Sequence, residues 1–134
     1  MCTVTVAVGV DAELDKLSVD DVNQAEDVII SQWGEVSADE KHKMRNRVDE
    51  ILRPLGYETS LLVIRRANSI AMLLTCLTLS AVMGLRDRWR SRQLRDIIEE
   101  LFRFLSHLAV RVKRVTWPVT DYEQCLGFFS SLPG

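Results

Sequence analysis

The sequence predicts an all-α protein: a compact bundle of four or five helices around a central apolar helix, preceded by a short N-terminal strand or arm. Three observations carry that expectation. Ala67 to Leu85 holds no charged residue and is apolar on every side, as a helix buried in the middle of a protein would be. Leu94, Ile98, Leu101, Leu105, Leu108, Val112 and Val115 follow spacings of 4, 3, 4, 3, 4 and 3, an unbroken heptad seam. Helix-start signals recur along the chain, with Ser18 three residues before Asp21, Ser37 before Glu40 and Thr120 before Glu123.

Taken in order, Thr3 to Val10 alternates with period two and is rich in β-branched residues, a strand pattern. Its candidate partner is Ser60 to Arg66; unpaired, residues 1–17 would be a flexible arm. A helix from Val19 to about Trp33 places Val22, Ala25, Val28, Ile29 and Trp33 on one face, and Gly34 is suited to end it. A second helix follows Ser37 and runs to about Arg53 with Met44, Val48, Ile51 and Leu52 as its stripe, stopped by Pro54 and Gly56. The apolar helix comes next, from Leu61, or from Asn68 if 61–66 is a strand, to Leu85. A long helix from Leu85 or Trp89 to about Val115 ends at the Trp117–Pro118 step. A short aromatic helix with Tyr122, Cys125, Leu126, Phe128 and Phe129 then packs as a lid over the bundle's end.

A chain of 134 residues is one domain and can bury enough surface to need no metal or disulfide. Cys2, Cys76 and Cys125 are odd in number and far apart, which argues against a disulfide framework and for a reducing, cytoplasmic setting. Cys76 reads as a small buried side chain. No secretory signal is evident, since no basic segment precedes the apolar residues 3–10.

The net charge of −2 conceals an asymmetry: residues 1–59 carry six Lys and Arg against thirteen Asp and Glu, a net −7, and residues 60–134 carry eleven against six, a net +5. Arg86, Arg88, Arg90 and Arg92 fan around a helix axis, with Arg88, Arg92 and Arg95 on one side and Trp89 among them. Basic residues interleaved with an aromatic suit a nucleic-acid surface, so Arg86, Arg88, Trp89, Arg92 and Arg95 are candidates for binding RNA or DNA. The simpler expectation is that these arginines pair with the acidic N-terminal helices, through Asp20, Asp21, Glu26 and Asp27.

Nothing points to catalysis. His42 and His107 are 65 positions apart, His107 has arginines at both i±4 positions, and no phosphate loop, nucleophile motif or metal-ligand spacing is present. No cofactor or metal is implied. Ile97, Phe102, Phe104 and Val110 widen the apolar surface beyond the seam, more than one partner helix would cover. The leading expectation is therefore a non-enzymatic accessory or regulatory protein, with the composition of a viral one, that binds other proteins. It would homodimerise through Leu94, Ile98, Leu101, Leu105, Leu108 and Val112. Nucleic-acid binding by the basic half is the first alternative, and a membrane protein spanning at 67–85 the second. Nineteen uncharged residues reach the lower limit of a span, but Asn68, Ser69, Thr75, Thr78 and Ser80 are polar.

Overall fold

A computed structural model describes residues 2–12, 19–37, 42–67, 69–108 and 110–131. It overturns the all-α expectation. The elements in chain order are β1 (Cys2–Ala12), α1 (Val19–Ser37), α2 (His42–Leu52), β2 (Thr59–Arg66), β3 (Ile70–Cys76), α3 (Leu79–Arg90), α4 (Gln93–Ser106), β4 (Val110–Thr116) and α5 (Val119–Ser130). A 3-10 turn, Arg53–Leu55, follows α2. The strands form one antiparallel sheet in the order β2-β3-β1-β4.

Two crossovers follow from that order. β1 and β2 both run against β3, so they are parallel to each other with β3 between them, and α1–α2 connects them. By the same reasoning α3–α4 connects β3 to a parallel β4 with β1 between. This is the split β-α-β connectivity, with each crossover made of two helices. β1 was legible as a strand, but its neighbours are β3 and β4 rather than the 60–66 segment.

Register and burial together show which face of the sheet the helices cover. Val4, Val6 and Val8 stand opposite Leu74, Met72 and Ile70, and all six are essentially inaccessible. On the other parity Thr3 and Ala7 are exposed and Thr5 is half-buried. The helices thus cover one face; on the other, β1 is open while β3 stays largely buried. β3 is central and buried along both faces, and a strand of that kind reads as a continuous apolar run. That is why 67–85 resembled a core helix: its first half is a strand, and only from Leu79 is it helical. Thr78 begins α3 by accepting a hydrogen bond from the Ala81 amide at 3.1 Å. The membrane-spanning reading falls with the helix, and among the described residues no helix is long and apolar enough to cross a membrane.

The long C-terminal helix is likewise several elements. α3 stops at Ser91, and Arg92 takes a left-handed conformation (φ 67°) before α4. α4 closes at His107, also left-handed (φ 57°), whose amide donates to Arg103. Ser106 Oγ donates to Phe102 O and accepts from the Leu108 amide, which helps turn the chain toward β4. The heptad seam is therefore cut. Leu94, Ile98, Leu101 and Leu105 are buried in α4 with Ile97 and Phe102, and Val112 is buried on β4; Leu108 is 46% exposed. The proposed dimer surface is the protomer's own interior, with α4 packing on α1, α2 and β4.

The other helices depart less. α1 buries Ala25, Ile29 and Trp33 as the periodicity requires but runs through Gly34 to Ser37. Val22 and the Ser37–Glu40 cap lie outside the described side chains. α2 buries Val48 and Ile51, and Pro54 sits in the turn that ends it. α5 starts at Val119, with Pro118 as its unassisted N-cap, so Thr120 is inside the helix and not its cap. It lies beside β1 and α3, not over a bundle end.

Cys2 and Cys125 form a disulfide, with Cα atoms 5.7 Å apart. The cysteine count had argued against one. Separation in sequence is no guide here, because β1 is a central strand and the last helix returns to it. The bond removes the cysteine argument for a reducing compartment. Cys76 is free and buried, and burial pushes its thiol above the usual range, so it is a poor nucleophile.

Glu26 is a buried carboxyl on α1. Burial raises its pKa, opposed by the Arg66 guanidinium 3.7 Å away, and its Oε2 has no hydrogen-bond partner. A carboxyl whose pKa is higher in the folded state binds protons more readily when folded. Its charged form then detracts from stability at neutral pH, and the cost is relieved as pH falls toward the folded pKa. Glu26→Gln should raise the melting temperature at pH 7 and shrink the gain the wild type shows between pH 7 and 5. A variant melting lower at pH 7, with the wild type's pH profile, would show that the Arg66 pair outweighs desolvation.

Candidate interaction site

The basic cluster has two sides. Arg90, Arg92 and Arg95, from α3, the α3–α4 turn and α4, converge with Lys113 and Arg114 of β4 around a cleft of about 480 Å³, floored by Trp89 and Val115. Lys113 occupies the register shift between Gly9 and Val10, and Arg111, Lys113 and Arg114 are all exposed. Among the described residues none of the five lining cations has an ion pair with a carboxylate. For Glu26 and Asp27 the expected pairing with this cluster is not what forms: both are engaged by Arg66. Asp20 and Asp21 lie outside the described side chains.

The five residues expected to bind nucleic acid separate in space. Arg92, Arg95 and Trp89 line the cleft. Arg86 lines an adjoining groove, with its guanidinium 5.0 Å from the Tyr122 ring centre. Arg88 faces away, near Tyr57 and Glu58, with its Nε buried and unpartnered. Trp89 is a structural residue. Its Nε1 donates to Val115 O at 2.8 Å and its ring lies 5.5 Å from Trp117, which in turn meets Tyr122 edge-on at 5.4 Å. These contacts fix the ring in one orientation at the floor of the cleft.

Arg95 is also partly committed. Its Nε donates to Val112 O at 3.0 Å; one turn on, Glu99 accepts from the Val112 amide, and after another turn Arg103 Nε donates to Val110 O at 2.8 Å. Residues 95, 99 and 103 form an i, i+4, i+8 stripe that satisfies the outer edge of β4. The remaining guanidinium nitrogens of Arg95 line the cleft.

The adjoining groove, about 710 Å³, shares Trp89, Arg90, Arg114 and Val115 with the cleft and continues over Val119 and Leu126. Val119 is 58% exposed. Charge and apolar surface are therefore contiguous. Sequence reading missed Lys113 and Arg114, although the Val110-Arg-Val-Lys-Arg-Val run has the period-two pattern that marks an exposed edge strand. Among the described residues no group of three His, Cys, Asp or Glu side chains could hold a metal, and His107 sits exposed at the end of α4. Comparison with protein-family models, curated proteins and solved structures finds no match.

Proposed function

We propose that the protein is a non-enzymatic interaction module that holds an acidic polypeptide segment in the Arg90–Arg92–Arg95–Lys113–Arg114 cleft, with apolar side chains of that segment in the groove beside it. The observation that carries this reading is the convergence of five cations from α3, α4 and β4 on one cleft continuous with an apolar groove. Arginine suits bidentate contact with carboxylates, and a rim of charge beside an apolar pocket favours a partner presenting both. A nucleic acid would use the charges but has less use for the apolar groove.

The test is fluorescence anisotropy with a labelled peptide alternating Glu with Leu and Phe, against a single-stranded RNA of equal charge. The peptide should bind more tightly, and Arg92→Glu with Arg114→Glu should weaken it about tenfold, ~1.4 kcal/mol. Both positions are exposed and outside the edge-satisfying stripe, so the fold should persist. Preferential RNA binding with steep loss on adding salt would overturn the reading in favour of nucleic acid. Peptide binding unchanged in the variant would remove the cleft as the site.

A further inference from the structure

We propose that the outer edge of β2 pairs antiparallel with the same edge of a second copy of this chain, joining two sheets into one of eight strands. The starting observation is how unevenly the sheet's edges are closed. The β4 edge is closed by the Arg95–Glu99–Arg103 stripe and by Trp89. Where β4 ends, at Thr116 opposite Ala7, the Thr5 amide of β1 donates to Asp121 at 2.8 Å and α5 lies alongside. Along the eight residues of β2, the described residues provide one such closure, from Trp33 Nε1 to Leu62 O at 3.3 Å. An edge strand left this way presents unpaired amides and carbonyls to any strand that can reach them.

The residues of this edge are complementary to themselves. Leu62 and Val63, at the centre, are 50% and 41% exposed, and the bulge between Leu61 and Val63 leaves both outside. Glu58, whose Oε2 accepts from Thr78 Oγ1 at 2.6 Å, and the fully exposed Tyr57 precede the strand; Arg65 and Arg66 end it. A two-fold axis within Leu61–Val63 sets Glu58 of one copy across from the partner subunit's Arg65 and Arg66, twice over. The Leu62–Val63 pairs meet at the axis. Arg66 is already held by Asp27, so Arg65, exposed and with no described bond, is the cation this contact would use. The same geometry runs the corresponding faces of the two sheets together, with Val63 beside Leu73 in register. Charge complementarity between the strand's two ends is what selects a second copy over a foreign strand.

The experiment is sedimentation of the full chain from about 10 to 500 μM, with amide exchange read over residues 59–66. A mass approaching twice 15.3 kDa, with slowed exchange in β2 as concentration rises, is expected. Glu58→Arg and Arg65→Glu, both exposed changes, should each shift dimerisation at least tenfold to higher concentration. An equimolar mixture of the two should restore it, because each variant's reversed charge then meets its opposite. A wild type monomeric at 500 μM overturns the proposal, as does a dimer whose β2 amides stay unprotected. A dimer that forms without restoration in the mixture overturns the charge-paired register. β2 protection appearing only on adding a foreign extended peptide overturns the second copy as occupant.

Discussion

Leu105→Arg should give an unfolded chain, not a folded monomer. Leu105 is inaccessible on α4, in a helix face that also carries Leu94, Ile98 and Leu101. Removing a buried Leu costs about 2–5 kcal/mol through lost transfer energy and the cavity left behind. A guanidinium in its place must also be desolvated, and that adds several kcal/mol more. A domain of this size has on the order of 5–15 kcal/mol in total, so the variant falls below the threshold. Far-UV circular dichroism and light scattering check this. A well-folded Leu105→Arg monomer would mean that the face is only shallowly covered and that the seam does belong to an intermolecular contact. Leu108→Arg is the internal control: it continues the same heptad spacing but is exposed, and the change should cost little.

The contrast between those two leucines shows what the sequence could and could not convey. Period-3.6 patterning correctly marked α1 and α2, whose apolar stripes meet polar outer faces, and period-two patterning marked β1. Where a segment is buried on both sides the period disappears. β3 is such a segment: the Ala-Met-Leu-Leu-Thr-Cys run lies in the sheet's interior, and its length with the following Thr-Leu-Ser-Ala-Val imitated one long helix. β4 was hidden differently. Val112 and Val115 happen to continue the heptad of α4, so a coincidence of spacing outweighed the alternation of Val with Arg and Lys. The left-handed His107 and the hydrogen bonds of Ser106 break the two apart.

The site was half legible for a related reason. Arg86 to Arg95 stand out as a cluster, but which of them share a surface depends on the break at Ser91–Arg92, which turns Arg88 away from Arg92. The remaining two cations of the cleft, Lys113 and Arg114, arrive from β4 through the sheet's topology. A reading that takes 94–115 as one helix places them elsewhere.

Reducing the Cys2–Cys125 disulfide should lower stability by about 4–5 kcal/mol, the second large effect expected. The bond closes a loop across 123 positions, nearly the whole chain, and the chain-entropy treatment assigns such a loop about 5 kcal/mol. Its location makes the loss regional. α5 is held to β1 by this bond and by the Asp121–Thr5 hydrogen bond, and to the chain leaving β4 by the packing of Tyr122 on Trp117. Without the covalent tie the remaining contacts must hold the helix alone, and a short terminal helix has little independent stability. Amide exchange over 119–130 should therefore accelerate on reduction well before that of β3. The Trp117–Tyr122 contact borders the proposed groove, so the labelled peptide should bind less tightly to the reduced chain as well. Thiol titration under denaturant is the first check: one reactive thiol, Cys76, before reduction and three after. Three before reduction would show that the bond does not form. An unchanged denaturation midpoint in reductant, with the bond demonstrably present beforehand, would show that the hydrogen bond and aromatic packing alone hold α5 in place.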